Sequence, residues 1–115
     1  MKAHRVDALY AGGSPIHNQD RKQLVALAAR HRLPAIWEWR QHVEEGGLIS
    51  YGANISALNR RVAVYIDRVL NGANPAELPV EQPTEFELAI NLKTAKALGL
   101  TIPQSVLLRA DQVIE

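Results

Sequence analysis

Residues that could bind a small molecule follow three short apolar runs of this sequence. The six candidates are polar, aromatic or glycine residues: Gly13, Ser14, Glu38, Trp39, Tyr51 and Gly52. A carboxylate can pair with an amino group, an indole can stack on an apolar ring, and a glycine lets a backbone approach a ligand closely. Together these residues predict a polar and aromatic site for a small amphipathic molecule.

Each candidate also has an interpretation that involves no ligand. Gly12 and Gly13 lack the G-x-G-x-x-G spacing of a dinucleotide fingerprint, so a simple turn explains them as well. Trp39 and Tyr51 suit packing as readily as ligand contact, and Glu38 could be a solvated strand end. The sequence leaves these alternatives open.

Residue types that support catalysis or metal binding are present without the spacing that either function needs. The four histidines do not form a metal-binding pattern such as H-E-x-x-H: His4, His17, His31 and His42. His31 falls on an apolar helix stripe, which predicts a packed side chain. Ser14 lacks the G-x-S-x-G elbow of a nucleophile. We therefore predict a protein that is not an enzyme, with no catalytic residue, no metal ligand and no cofactor.

The elements that position the candidates begin with a βαβ unit. Residues 6–10 and 35–37 are apolar runs that predict two strands. Between them, a helix capped by Asn18 or Asp20 is predicted to extend to about Arg32, because apolar residues recur at spacings of three and four. A strand, a helix and a strand within about 30 residues predict a parallel pair with a right-handed crossover.

Two helices and a strand are predicted in the middle of the chain. Residues 40–45 form a short helix, and residues 48–51 form a third strand. The longest helix extends from Ile55 to Leu70, where the apolar spacing is helical with few exceptions. Asn54 or Ser56 is placed to cap this helix.

The last third of the chain carries the clearest local signals. Residues 86–90 alternate between apolar and polar or small residues, which predicts a strand with one buried face. Asn91 is placed to cap a helix over residues 92–98, and Gly99 is suited to its end. Pro103 is suited to the first turn of a last helix, whose apolar stripe reaches Ile114.

Length and composition indicate one α/β domain over residues 1–115. The chain has 115 residues, of which 47% are hydrophobic, so it can bury a core. Its net charge of +1 gives no field that favours nucleic acid or a membrane surface, and we predict no nucleic-acid partner. It has no cysteine, and no apolar run approaches the ~20 residues of a membrane span. No signal peptide is recognisable, which predicts that the chain as given stays in the cytoplasm.

Four blocks of the sequence occur in an order that is typical of one protein family. They are residues 28–36, 38–40, 46–52 and 79–103. These blocks resemble the substrate-binding proteins of ABC importers, in the branch whose members bind tryptophan, tyrosine or related small molecules. Several separate blocks in the same order form a more specific signal than any single short motif.

The resemblance implies a type I periplasmic-binding-protein fold, and hence an α/β, three-layer sandwich around a parallel sheet that forms part of one lobe. In that fold two lobes close on a ligand by a hinge motion. A membrane permease driven by an ATPase then recognises the closed form. By resemblance, the six candidate residues face the cleft, the ligand is an amino-acid-like or aromatic molecule, and the protein is periplasmic or membrane-anchored.

The matching blocks belong to the second half of the family's two-lobed protein, so the resemblance implies that this chain lacks the first lobe. Half of this two-lobed protein is expected to bind the ligand weakly. The helix from Ile55 to Leu70 is then expected to expose an apolar face, which predicts a homodimer of this chain. A different class of function stays open: a half-length α/β interaction or regulatory module that dimerises and does not transport.

Overall fold

The computed structural model describes residues 5–115, which divide into two compact units. The first unit contains the described residues up to Gly52 together with Glu87–Glu115. The second unit is Ala53–Phe86. The histidine at position 4, which was weighed above as a metal ligand, lies outside the described residues.

A five-stranded, mostly parallel sheet organises the first unit. Its strands lie side by side in chain order: β1 Leu9–Ala11, β2 Ala35–Trp37, β3 Ile49–Ala53, β4 Phe86–Asn91 and β5 Gln112–Ile114. The pairs β1–β2, β2–β3 and β4–β5 are parallel. The predicted α/β class, its parallel sheet and the parallel βαβ pair are therefore confirmed.

Short helices flank the sheet, and one long helix dominates the second unit. The helices are α1 Pro15–Gln19, α2 Arg21–Arg30, α3 Arg40–Glu44, α4 Ile55–Leu70, α5 Leu92–Ala97 and α6 Gln104–Leu107, with a 3₁₀ turn at Pro75–Glu77. Two predicted caps are confirmed, because Asn54 accepts from the Ala57 N–H at 2.9 Å and Asn91 accepts from the Thr94 N–H at 3.1 Å. Gly99 follows α5 with a φ of 72°, as its predicted role at a helix end requires.

The core of the first unit lies between α2 and one face of the sheet. Its buried residues come from α2 and β2, and three half-buried residues pack against them: Val25, Ala28, Ala35 and Trp37, with Leu9, Ala11 and Leu24. The alternating side chains of the same strands point to the opposite face, where Tyr10, Ile36 and Tyr51 are exposed. Parallel sheets are normally covered on both faces, so this open face is unusual for the fold class.

The predicted boundaries need correction around the first helix. The structure has two helices, α1 and α2, where the sequence predicts one, and Asn18 lies inside α1 rather than at a cap. Asp20 is the N-cap of α2, although its side chain makes no cap hydrogen bond. His31 follows the end of α2 and is exposed, so the prediction that it packs is wrong. The first strand also begins later than predicted, at Leu9.

The predicted last helix is wrong beyond its first turn. α6 ends at Leu107, and residues 112–114 form β5 instead of continuing the helix. The apolar residues Val113 and Ile114 match a helical stripe, but they pair in parallel with Ile90 and Asn91 of β4. β4 is consequently an inner strand, and its last three residues are all buried, which replaces the predicted single buried face.

The second unit is α4 and the segment that follows it. Two hydrogen bonds hold this segment against the helix. Arg61 Nε donates to Glu81 Oε2 at 2.7 Å, and the Tyr65 hydroxyl donates to the Pro79 carbonyl at 2.6 Å. α4 contains no buried residue. Among residues 5–115, no helix is both long and apolar enough to cross a membrane.

Candidate functional site

The candidate residues lie at one edge of the first unit, which we call the strand-end edge. It contains the six residues predicted from the sequence: Gly13, Ser14, Glu38, Trp39, Tyr51 and Gly52. They lie at or just beyond the carboxyl ends of β1, β2 and the neighbouring β3, which run in parallel. In open α/β sheets this is the edge where ligands bind.

Glu38 contacts the loop after β1 and the end of β3. Its carboxylate accepts a hydrogen bond from the Gly13 N–H, 25 residues away in the chain. A Cβ atom at Gly13 would lie 2.6 Å from Glu38 Oε2, and a Cβ atom at Gly52 would overlap the Glu38 carbonyl oxygen. Gly52 therefore requires glycine, because a side chain there would meet backbone, whereas a side chain at Gly13 would displace only the Glu38 carboxylate.

The carboxylate of Glu38 keeps acceptor capacity for a ligand. A carboxylate has about four lone-pair sites, of which the Gly13 N–H uses one. The neighbouring Arg40 is engaged elsewhere, with Glu44 at 2.9 Å and Glu87 at 3.5 Å. Glu38 is half-buried, so it can meet an amino group of a ligand at a partly desolvated position.

Trp39 is placed between the edge and a buried aromatic stack. Its ring lies 6.4 Å from the ring of His42, tilted by 42°, and His42 stacks on Trp37 at 4.8 Å with an angle of 14° between the planes. Trp39 is half-buried and is the N-cap residue of α3. Its packing against His42 fixes the indole, while its remaining surface can contact a ligand.

Ser14 and the glycine loop are positioned by α1. Ser14 is the N-cap residue of α1, and its hydroxyl makes no cap hydrogen bond. His17 Nδ1 lies 2.9 Å from the Gly12 carbonyl oxygen, which ties the loop to the first helix. The loop that carries Gly13 is therefore held from two sides, by Glu38 and by His17.

Tyr51 is the candidate that the structure separates from the others. β3 continues to Ala53, so Tyr51 and Gly52 lie within the strand and the predicted loop after residue 51 is wrong. Tyr51 points to the sheet face opposite Trp37 and has 61% of its surface exposed. Gly13, Glu38 and Gly52 are brought together, whereas Tyr51 lies on the open face beside Ile36.

His42, which the sequence left without a role, supports this edge, as His17 does through the Gly12 carbonyl. His42 is buried under Trp39, and its Nδ1 lies 3.3 Å from the Trp39 carbonyl oxygen. Burial lowers the pKa of His42 below its ordinary value of 6.5, although that hydrogen bond opposes the shift. His42 follows Trp39 by three residues on a short helix, and that spacing could have indicated their contact.

Comparison with protein families gives one match over nearly the whole chain. The family model described as "ABC transporter substrate binding protein" matches residues 3–114. Comparison with curated protein sequences gives no match.

Solved structures give matches that are longer than this chain. An "ABC domain in complex with L-Trp" from Streptococcus pneumonia is 33% identical with a TM-score of 0.90, covering 98% of this chain and 38% of that chain. A conserved domain protein from Vibrio cholerae is 28% identical with a TM-score of 0.89, covering 96% and 38%. A ligand-free, open substrate-binding protein with adhesive properties from Clostridium difficile is 22% identical with a TM-score of 0.64, covering 96% and 37%, and it supports the fold alone. This chain therefore spans less than two fifths of each of these proteins.

Proposed function

Because the chain belongs to the family of ABC transporter substrate-binding proteins, we propose that it is the C-terminal part of the solute-binding component of an importer. In this proposal the strand-end edge forms one wall of a site for a small amino-acid-like or aromatic molecule. The family is one of binding proteins rather than enzymes. The similarity to a protein in complex with L-Trp supports an amphipathic ligand that has both an amino group and a ring.

The position of Glu38 carries this proposal. Its carboxylate accepts the N–H of Gly13 in the loop after β1, and its backbone carbonyl lies against Gly52 of β3. This arrangement fixes a negative charge at the edge where α/β folds bind ligands, beside the half-exposed indole of Trp39. A carboxylate and an indole suit the ammonium group and the aromatic ring of one molecule.

The family also supports proposals on partners and location. We propose that the complete protein delivers its ligand to an ABC permease and works outside the cytoplasm, as the family name and fold suggest. One wall alone gives weak binding, because ligands of this size usually bury most of their surface in a pocket.

The test is an NMR titration of the chain with L-tryptophan and with indole-3-propionate, which lacks the amino group. We expect L-tryptophan to shift the backbone signals of Gly13, Glu38 and Trp39, and to bind more tightly than indole-3-propionate. Glu38→Gln keeps an acceptor for the Gly13 N–H but removes the charge, so it should abolish this preference. The matched control Glu77→Gln changes an exposed carboxylate of the second unit and should leave the preference intact.

The assignment of this wall is contradicted if millimolar L-tryptophan gives no saturable shifts. It is also contradicted if Glu38→Gln still prefers L-tryptophan to indole-3-propionate as strongly as the unmodified chain does. Either result would favour a second candidate function, a dimerising interaction or regulatory module. The exposed apolar residues of α4 favour that candidate, and Val62, Ile66 and Leu70 have 55%, 54% and 80% of their surface exposed.

A further inference from the structure

A partly open cavity of about 190 Å³ is formed by residues of the first unit, none of which belongs to the strand-end edge. Residues of α2, β2 and α5 and the turn before β3 line it, and many of them are too small to fill the space: Ala28, Ala29, Ala35, Gly46, Gly47 and Ala97. A cavity of about 150 Å³ lined by apolar residues is large enough for benzene. This cavity therefore has the volume for a ring or a short aliphatic chain.

The polar side chains that line the cavity all carry hydrogen-bond donors: Trp37, Thr94 and Arg32. Trp37 is 1% exposed, and its Nε1 has no partner among the residues that the structure describes. That nitrogen lies against Gly47, where an added Cβ atom would be 2.7 Å from it. The Thr94 hydroxyl also lines the cavity but already donates to the Gly46 carbonyl at 2.8 Å.

Arg32 is an exposed residue that lines the same cavity and carries a positive charge. Its guanidinium donates to the Ala97 carbonyl at 3.4 Å, a long hydrogen bond that leaves most of its five N–H groups for other acceptors. Its backbone has a φ of 52°, in the left-handed region that non-glycine residues seldom adopt. Arg32 is the only charged residue that lines this cavity in the described chain.

From these features we propose that the cavity is a second binding site, for a small monocarboxylic acid with an apolar body about the size of a benzene ring. The apolar body packs against Val25, Leu48 and Leu98, and the carboxylate pairs with Arg32. The wall offers donors and a cation, so an anion that only accepts hydrogen bonds complements it. The site goes beyond the proposed function, because it shares no residue with the strand-end edge.

The test is an NMR titration with benzoate and with benzyl alcohol, two probes of similar size that differ in charge. The reporter is the indole N–H signal of Trp37, identified as the signal that remains in Trp39→Phe. We expect a saturable shift with benzoate and about tenfold weaker binding of benzyl alcohol, because a charged partner strengthens a hydrogen bond.

Two variants give independent evidence on the site. Arg32→Asn removes the charge with a residue that tolerates a positive φ, and it should remove the difference between the two probes. Arg30→Asn is the matched control, since Arg30 is exposed and does not line the cavity. Ala28→Leu should fill the cavity and abolish the binding of both probes. If this variant does not fold, the comparison of Arg32→Asn with Arg30→Asn tests the proposal alone.

The proposal is overturned if benzoate gives no saturable shift of the Trp37 signal, or if both probes bind equally to the unmodified chain. It is also overturned if the benzoate shift persists unchanged in a folded Ala28→Leu variant. Exchange cross-peaks between water and the Trp37 N–H that benzoate does not displace would identify a hydrated cavity instead. An unchanged benzoate titration in Glu38→Gln would separate this site from the strand-end edge.

Discussion

At the scale of single residues, His42 links the strand-end edge to the stability of the first unit. It is buried, stacked on Trp37 and placed beneath Trp39. Burial is the largest cause of its lowered pKa, and the nearby charges of Arg21 and His17 lower it further. The folded protein therefore takes up a proton at His42 less readily than the unfolded chain does.

We predict that the first unit loses stability as the pH falls below about 6.5, the value at which a histidine in the unfolded chain begins to bind protons. His42→Phe keeps a ring that can stack on Trp37 but cannot titrate, so its melting temperature should change less between about pH 7.5 and about pH 5.5. Thermal unfolding at a series of pH values measures this difference. His31→Gln is the control, because His31 is exposed, and parallel profiles for the parent chain and His42→Phe would contradict the prediction.

The sequence predicted that the candidate residues lie at strand ends, but it did not predict their contacts. Glu38, Trp39 and the glycines were found because they follow apolar runs, and the structure places Gly13, Glu38 and Gly52 together. The hydrogen bond between Glu38 and Gly13 spans 25 residues, and its existence depends on strand register, which local patterns do not specify. Tyr51 is separated because it lies within β3, where successive side chains point to opposite faces of the sheet.

At the scale of elements, local signals sufficed where a single residue determines the backbone. The caps Asn54 and Asn91 were predicted from their side-chain chemistry, and Gly72 and Gly99 end α4 and α5 with φ values of 99° and 72°. Periodicity failed at the C-terminus, where Val113 and Ile114 suit both a helix and a strand. Pairing with β4 decided the outcome there, and a long-range contact of this kind overrides local propensity.

Asn91 gives a prediction at this scale, because it serves two elements. Its Oδ1 accepts from the Thr94 N–H at 3.1 Å, and its Nδ2 donates to the Val43 carbonyl of α3 at 3.4 Å. Asn91→Ala should lower the free energy of unfolding by about 1–2 kcal/mol, because it removes a helix cap and one of the two N–H donors to the Val43 carbonyl, which also accepts from the Gly46 N–H at 3.0 Å. Urea denaturation measures the change. Asn59→Ala, at an exposed position of α4, should stay within about 0.5 kcal/mol, and equal losses in both variants would refute the role of Asn91.

At the scale of the whole molecule, both units present apolar surface that a stable fold normally covers. In the first unit Tyr10, Ile36 and Tyr51 have 70%, 47% and 61% of their surface exposed on the open sheet face. In the second unit all sixteen residues of α4 remain at least partly exposed. The exposed apolar face of α4 was predicted from the family resemblance, because the same helical spacing that predicts an amphipathic helix also predicts a face that needs a partner.

The self-association of this chain remains a prediction, and the geometry of α4 makes it specific. Val62, Ile66 and Leu70 follow one another at spacings of four, so the row is symmetric about Ile66. A second copy can therefore pack its α4 antiparallel to the first, with Ile66 against Ile66 and Val62 against Leu70, as an isologous dimer requires. The charged residues Arg60 and Asp67 lie on the other side of the helix, so this contact brings no like charges together.

We expect a dimer in sedimentation velocity at concentrations of tens of micromolar. Ile66→Lys should raise its dissociation constant by about 30-fold or more, because it introduces a charge at the centre of the contact. Val64→Lys is the matched control, since Val64 is an exposed apolar residue of the same helix outside the symmetric row. A monomer at the highest concentration that stays in solution would refute the dimer. A dimer that Ile66→Lys does not weaken would place the contact elsewhere and remove α4 as its basis.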